Sequence, residues 1–302
     1  MILGVFMKEL IIEFLDKRPK VIGAFGYGSG VFKQIGYNDS DKVQIDLILI
    51  VDNLKDWHKQ NMKLNPKDYS IIGKKFLLNS NINKIKGLTS ITYQSNINYK
   101  NNLFKYGIIE YKDFEKHMKT WDSFYVPGRF QKPILPIITN DNIDNLIYEN
   151  RKNACKISLL CMKNNTLDDL FLTICSLSYN GDTRMKVAEN PNKVSNIVGA
   201  SKEKFKEMYN FKDLYTLNDE KIIFEVNLDN LPSSLDKYIE NKENLENVKQ
   251  KILEYLSNLN KNESKTQTIK GIKTNGVVRS AKYGAAKILK KFRWWNENFM
   301  YW

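Results

Sequence analysis

Two spacings of apolar residues divide the chain. Over roughly the first 135 positions they fall in short blocks, Val21 to Phe25, Val43 to Val51, Ser90 to Tyr93 and Tyr106 to Tyr111, with a helix or loop around Trp57 to Leu64. Short blocks bounded by polar turns predict strands, and their alternation with helical stretches predicts an α/β module with a small mixed sheet over residues 1–135. From Asn142 to about Met185 the spacing becomes helical, with Leu146, Ala154, Ile157, Leu160, Leu170 and Leu177 among the apolar positions. A mostly helical second domain over 136–258 follows, charged and helix-prone from 201 onward around a strand-like Ile222 to Val226. The run NKNESKTQ at 260–267 reads as a polar linker, which makes 259–302 a linker plus a separate C-terminal element.

That element, Val277 to Phe299, has an apolar face. At 3.6 residues per turn Val278, Ala281, Ala285, Ile288, Leu289, Phe292, Trp295 and Phe299 share one side, while Arg279, Lys287, Lys290, Lys291 and Arg293 lie on the flanks and back. With Trp294, Trp295, Tyr301 and Trp302 at its end, this is the pattern of a helix lying in a membrane surface, where each cation near an anionic bilayer contributes about 1 kcal/mol. Packing on the protein's own core is the plainer reading. Nucleic acid is not expected as a partner, since the aromatics cluster at the end and are not interleaved along a platform.

The chemistry-bearing segment is Val21 to Asp52. A glycine-rich turn with one hydroxyl (Gly26, Gly28, Ser29, Gly30) follows the first strand and precedes an expected helix start, and the next strand, V-Q-I-D-L-I-L-I-V-D, is interrupted by one carboxylate, Asp46. Glycines let backbone N–H groups approach a polyphosphate, and a carboxylate on the neighbouring strand can hold Mg²⁺. A tight turn with no ligand explains the glycines equally well. An acid inside an apolar strand is harder to set aside, because an unpaired buried carboxylate costs several kcal/mol. No Gly-Lys-Ser/Thr follows the turn, so it is not a P-loop, and the glycine spacing does not fit a dinucleotide fingerprint. The layout fits a polymerase-type nucleotidyltransferase. Gln44 and Ile48 occupy the positions where many such enzymes carry a second carboxylate, which leaves Asp182 and Asp52 as the other acids considered for the metal.

Composition narrows the partner. The 302 residues are 42% hydrophobic and 12% aromatic, enough for folded cores, and the net charge of +13 calls for an anionic partner: nucleotide, nucleic acid or acidic lipid. Cys155, Cys161 and Cys175 lie in apolar helical sequence and are expected as free thiols. The N-terminal stretch carries Lys8, Glu9, Glu13 and Asp16 among apolar residues at helical spacing, which fits neither a signal nor a transit peptide. No apolar run approaches the ~20 residues of a membrane span.

Several longer motifs share one order: A-F-G-Y-G-S-G-V-F at 24–32, I-D-L-I-L-I-V-D at 45–52, W-H-K-Q-N at 57–61, K-Y-G-I-I at 105–109, Y-V-P-G-R-F-Q-K-P at 125–133 and L-S-Y-N-G-D-T-R-M-K-V-A-E-N-P-N-K-V-S-N-I-V at 177–198. Together they resemble the mitochondrial-type phosphatidate cytidylyltransferases, over residues 20 to about 295. The resemblance implies a polymerase-beta-like nucleotidyltransferase domain, an α-helical domain and a C-terminal amphipathic membrane-binding helix. It implies a Mg²⁺-dependent reaction of CTP with phosphatidic acid giving CDP-diacylglycerol and pyrophosphate, on the route to phosphatidylglycerol and cardiolipin. On this basis Gly28 and Ser29 are assigned to the CTP phosphates, Asp46 to the metal and Asp182 to a second acidic group. Lys105, Tyr106, Arg129, Lys132, Arg184 and Lys186 are assigned to anion contacts. Lys287, Lys290, Lys291, Phe292, Arg293, Trp294 and Trp295 are assigned to the anionic membrane surface. For Asp182 a helix cap is the simpler reading, and for His58 a packed structural role. A nucleotidyltransferase acting on a soluble or RNA acceptor is the alternative function. The expected location is the cytoplasmic face of a bacterial membrane, with the matrix face of the mitochondrial inner membrane as the alternative.

Overall fold

The computed structural model describes residues 2–32, 44–78, 90–187, 189–219, 221–239 and 244–276. Helix α1 (Ile2–Asp16) precedes β1 (Gly23–Tyr27) and β2 (Ile45–Val51); α2 (Leu54–Leu64), α3 (Ile71–Leu78), β3 (Thr92–Tyr99), β4 (Asn102–Glu110), α4 (Tyr111–Thr120), α5 (Pro127–Phe130) and β5 (Ile134–Ile138) follow. The remainder is mainly helical: α6 (Asp141–Cys161), α7 (Leu167–Leu177), α8 (Thr183–Val187), α9 (Lys193–Ala200), α10 (Lys202–Met208), a small ribbon of β6 (Thr216–Asn218) and β7 (Lys221–Ile223), α11 (Asp236–Ile239) and α12 (Leu245–Asn275).

The main sheet runs β3-β4-β2-β1-β5, with β2 and β4 parallel and the other neighbours antiparallel. It is the small mixed sheet expected from the spacing of apolar blocks, with β4 starting earlier than that spacing showed. Strand β5 is an addition. Its sequence, Ile-Leu-Pro-Ile-Ile, carries Pro136, which has no N–H to donate and is tolerated because β5 is an edge strand with an irregular register against β1. The sheet therefore extends past residue 135, where the first domain was expected to end.

Both faces of the sheet are covered, which is why β2 is almost continuously apolar. On one face Leu47, Leu49, Phe104 and Ile108 pack against Ile11, Phe14, Leu54 and Trp57 of α1 and α2. There the rings of Phe14 and Phe104 stack at 4.0 Å, and burying each such ring contributes on the order of 2–3 kcal/mol. On the other face Phe25, Ile48, Ile50 and Ile109 meet Phe114, Met118, Phe130, Ile143 and Ile147. Helix α6 is started by Asn140, whose side chain accepts from the Ile143 amide. Its first half lies on this sheet face, and Ala154, Cys155 and Ile157 enter a second core with α7, Phe205 and the start of α12. One helix thus belongs to both cores.

Residues 260–267, expected as a polar linker, lie inside α12. Asn260, Glu263, Ser264 and Gln267 are buried, and their spacing places them on one face of the helix. That face is polar because Asn260, Glu263 and Ser264 meet backbone groups and a hydroxyl of other elements, while Lys261, Asn262 and Lys265 between them are exposed. The proposed membrane residues Lys287 to Trp295 lie outside the described residues, and among those described no helix is long and apolar enough to cross a membrane. The three cysteines are free and buried, and burial pushes the Cys155 and Cys161 thiols up to about 12 and that of Cys175 to about 11.

Candidate active site

Strand alternation decides which motif residues meet. Side chains at successive positions point to opposite faces, and Ile48 and Ile50 face α5 and α6. Asp46 lies on that same face, one turn of the pleat beyond the helical cover, with its side chain 23% exposed. Its backbone pairs with Tyr27 of β1 on one side and with Lys105 of β4 on the other. The ammonium of Lys105 approaches Oδ1 of Asp46 to 3.3 Å and stands 4.6 Å from the ring of Tyr93.

The glycine turn closes over this carboxylate. Val31 and Phe32 both donate their amides to the Gly28 carbonyl, and Gly28 has φ of 76°. A Cβ on Gly28 would stand 3.3 Å from Oδ2 of Asp46, and one on Gly30 would stand 2.1 Å from the Gln44 carbonyl oxygen. The turn is built for close backbone approach, and Ser29 sits between the two glycines. The helix start expected after it falls in residues 33–43, outside the described residues.

The second wall comes from the helical side. Val126 and Pro127 lead into α5, whose Arg129 lies with its guanidinium carbon 3.6 Å from the centre of the Tyr125 ring and 5.9 Å from that of Tyr27. Arg129 donates to the Tyr125 carbonyl through Nη1, while its buried Nε has no hydrogen-bond partner. Lys132 donates to Ser178 Oγ at 2.6 Å and to the Gly128 carbonyl, 5.0 Å from the ring of Tyr179. Burial pushes the Lys132 ammonium down to about 8. Asp182 holds Arg184 tightly. Its carboxylate accepts from the Arg184 amide at 2.9 Å and from Nε and Nη2 at 2.9 and 2.5 Å, and the guanidinium then faces the Tyr125 ring at 5.7 Å.

Lys105, Arg129, Lys132 and Arg184 thus converge, with Asp46, on one side of the sheet. Tyr27, Tyr93, Tyr125 and Tyr179 stand among them as ring partners, and Lys193 faces Tyr179 at 5.7 Å while paired to Glu189. None of these rings was singled out from the sequence, although all but Tyr93 lie inside quoted motifs. The side chain of Lys186 lies outside the described residues.

Two assignments are corrected. Tyr106 cannot share the site with Lys105, because adjacent strand residues face opposite ways. Its ring is fully buried on the α1–α2 face, where its hydroxyl donates to Asp68 at 2.6 Å and accepts from Asn61 at 3.0 Å. Tyr106→Phe is expected to lower stability by about 1–2 kcal/mol in denaturant titration and to leave the nucleotide KM unchanged. Asp52 is exposed just past the end of β2. At about 3.3 Å per residue it lies on the order of 20 Å along the strand from Asp46, so it is not a ligand of the same ion.

His58 is a packed residue. Its ring nitrogens bond Tyr69 and Thr92, both at 3.0 Å, and burial pushes it down to about 3. For a metal, Asp46 has the right chemistry: Oδ1 is buried without a hydrogen bond beside the Lys105 ammonium, and Oδ2 faces the glycine turn. Among the described residues no group of three or more His, Cys, Asp or Glu side chains could hold an ion by itself. A Mg²⁺ here fits with Asp46 as its protein anchor and phosphate oxygens or water as the remaining ligands.

Residues 8–230 match the family described as mitochondrial phosphatidate cytidylyltransferase. The protein of that name from Schizosaccharomyces pombe is 38% identical over 191 residues, which cover 62% of this chain and 48% of the relative. That from Saccharomyces cerevisiae is 35% identical over 284 residues, covering 89% and 66%, and that from Danio rerio is 29% identical over 330, covering 97% and 96%. The chain spans about half to two thirds of the two yeast relatives and nearly all of the fish one. These relatives are named mitochondrial, in line with the second of the two expected locations and against a bacterial membrane. With nearly three quarters of its length inside the family's match, the chain belongs to the mitochondrial-type phosphatidate cytidylyltransferase family.

Proposed function

We propose that this chain is a phosphatidate cytidylyltransferase with a polymerase-beta-like nucleotidyltransferase domain, transferring CMP from CTP to phosphatidic acid with release of pyrophosphate. The observation that carries the reading is Asp46, a strand carboxylate with a buried oxygen free of hydrogen bonds, set against a glycine turn and paired with Lys105, while Arg129 faces the rings of Tyr27 and Tyr125 and Arg184 that of Tyr125. A polyphosphate suits such a site, because its charge is met by several fixed cations and by backbone amides.

The residues divide the work. The turn Gly28–Gly30 offers amides and the Ser29 hydroxyl to the triphosphate. Lys105, placed by β4 next to Asp46, and Arg129, held by the Tyr125 carbonyl, meet charge that builds on the leaving pyrophosphate. Arg184, fixed by Asp182, and Lys132, braced on Ser178, are placed to meet the phosphate of the acceptor. Mg²⁺ bound at Asp46 would supply further charge neutralisation. In-line attack of a phosphatidate oxygen on the α-phosphorus needs little proton transfer, so positioning and electrostatics account for the rate.

The acceptor is a bilayer lipid, and the basic amphipathic sequence at 277–299 is the proposed contact with an anionic surface, as a peripheral protein on the matrix face of the mitochondrial inner membrane. The test is labelled CTP with Mg²⁺ and vesicles containing phosphatidate, run beside a soluble phosphate acceptor and an RNA. Labelled CDP-diacylglycerol from the vesicles alone is the expected result. Label in RNA or in the soluble product, with none in lipid, would overturn the lipid assignment.

A further inference from the structure

We propose that the buried polar face of α12 is a brace that positions the two loops carrying the site's cations, with Asn260, Glu263 and Ser264 as positioning residues. The loops are 121–129, which brings Tyr125 and Arg129, and 177–184, which brings Tyr179, Asp182 and Arg184. Neither belongs to the sheet, so nothing in the strand register fixes them against Asp46.

The helix meets both loops at backbone level. Glu263 accepts from the Ser123 hydroxyl and, through Oε2, from the Phe124 amide at 3.1 Å. Tyr255, two turns earlier, donates to the Trp121 carbonyl at 2.9 Å. Phe124 in turn accepts from the Gly128 amide at 3.0 Å, so the carboxylate of Glu263 is one residue from Tyr125 and one bond from the start of α5. On the other loop Asn260 donates to the carbonyls of Leu177 and Asn180 at 2.8 and 2.9 Å. Ser264 Oγ accepts from the Thr183 amide at 3.2 Å and lies 3.0 Å from its hydroxyl. Gly181, with φ of 83°, lets the loop lie directly on α12: a Cβ there would stand 2.1 Å from the Ser257 carbonyl oxygen.

A general packing role would be met more cheaply by apolar residues. Glu263 is 6% exposed and Ser264 2% exposed, and a buried carboxylate is costly even when hydrogen-bonded. What polar groups add is direction, because each bond fixes one loop atom along one line. The side chains at 260, 263 and 264 do this from a single helix, which sets Arg129 and Arg184 at a fixed separation, both facing the Tyr125 ring.

The brace rests on the proposed cytidylyl transfer only for the activity used to read it. The test takes the full chain and compares it with Glu263→Gln and Asn260→Ala by amide hydrogen exchange and by steady-state kinetics with CTP and phosphatidate vesicles. Exchange is expected to rise at least about tenfold in 121–129 for Glu263→Gln and in 177–184 for Asn260→Ala, with β2 and β4 unchanged. The kcat is expected to fall about 10- to 100-fold with little change in the CTP KM. Unchanged exchange in both loops, or a uniform rise over the whole chain, would overturn the brace. If Glu263→Gln does not fold, Asn260→Ala decides the same question on the other loop. If the wild type forms no product, the lipid-transfer reading fails while the exchange measurement still decides the brace.

Discussion

Asp46→Asn is expected to reduce CDP-diacylglycerol formation by on the order of 10²- to 10³-fold, the range seen when a single group facing developing charge is removed. Expressed as a barrier this is about 3–4 kcal/mol. The substitution preserves shape and leaves the strand untouched, since the apolar contacts of β2 come from Ile45 and from Leu47 to Val51, and Oδ1 of Asp46 makes no hydrogen bond. What changes is charge: the counter-ion of Lys105, 3.3 Å away, disappears, and with it the anchor proposed for Mg²⁺. Thermal unfolding should therefore stay within a few degrees of the wild type while product falls. Asp52→Asn is the matching control at the exposed end of the same strand and is expected to leave product formation unchanged. Wild-type rates from Asp46→Asn would remove the metal-anchor role and with it the proposed mechanism.

Asp182→Ala is expected to act on both stability and rate. The carboxylate is buried, and burial alone would push its carboxyl up, but the hydrogen bonds and charge of Arg184 outweigh this and hold it below the usual range. Removing it leaves a partly buried guanidinium without its partner. Breaking a fully buried pair costs 3–5 kcal/mol; with the Arg184 side chain 31% exposed, about 2 kcal/mol is expected here. Freed from its bonds, Arg184 no longer faces Tyr125 in a fixed pose, and a loss of about 10² in kcat/KM follows from misplacement alone. The sign of the pH effect is fixed by the direction of the shift. A carboxyl lowered in the folded state contributes stability above its unfolded value, near 4, and that contribution is lost as pH falls through the folded value. The stability gap between wild type and variant should therefore be full near pH 7 and narrow below pH 4. Urea titrations at several pH values check it, and a gap that widens on acidification would contradict the pairing.

The order of elements, the apolar strands and the pairing of a glycine turn with a strand carboxylate were legible in the chain, because they depend on local spacing. Apolar blocks marked β2, the start of β3 and the second half of β4, and a charged residue inside one of them marked Asp46. The cysteines, expected as free thiols from their apolar, helical surroundings, are free and buried. Motif membership also singled out Lys105, Arg129, Lys132 and Arg184, which the fold gathers on the side of the sheet that carries Asp46.

Other features depended on what lies across from each residue. Lys105 and Tyr106 are adjacent in one motif, yet the pleat sends them to opposite faces, one toward Asp46 and the other into a buried network with Asp68 and Asn61. Asp52 shares a strand with Asp46 but sits beyond its far end. Strand β5 was hidden by Pro136, whose missing N–H matters only if a strand has neighbours on both sides. The polar run at 260–267 carried every mark of a solvated linker, yet one face of it is buried because backbone carbonyls, amides and hydroxyls of two distant loops meet it, while Lys261, Asn262 and Lys265 stay exposed. Sequence by itself determined which residue types this protein has available for phosphate chemistry and in what order, since local periodicity and residue chemistry travel with the chain. Only the tertiary structure decided which of them face one another, because facing is set by strand register and by contacts between segments 80 to 140 residues apart.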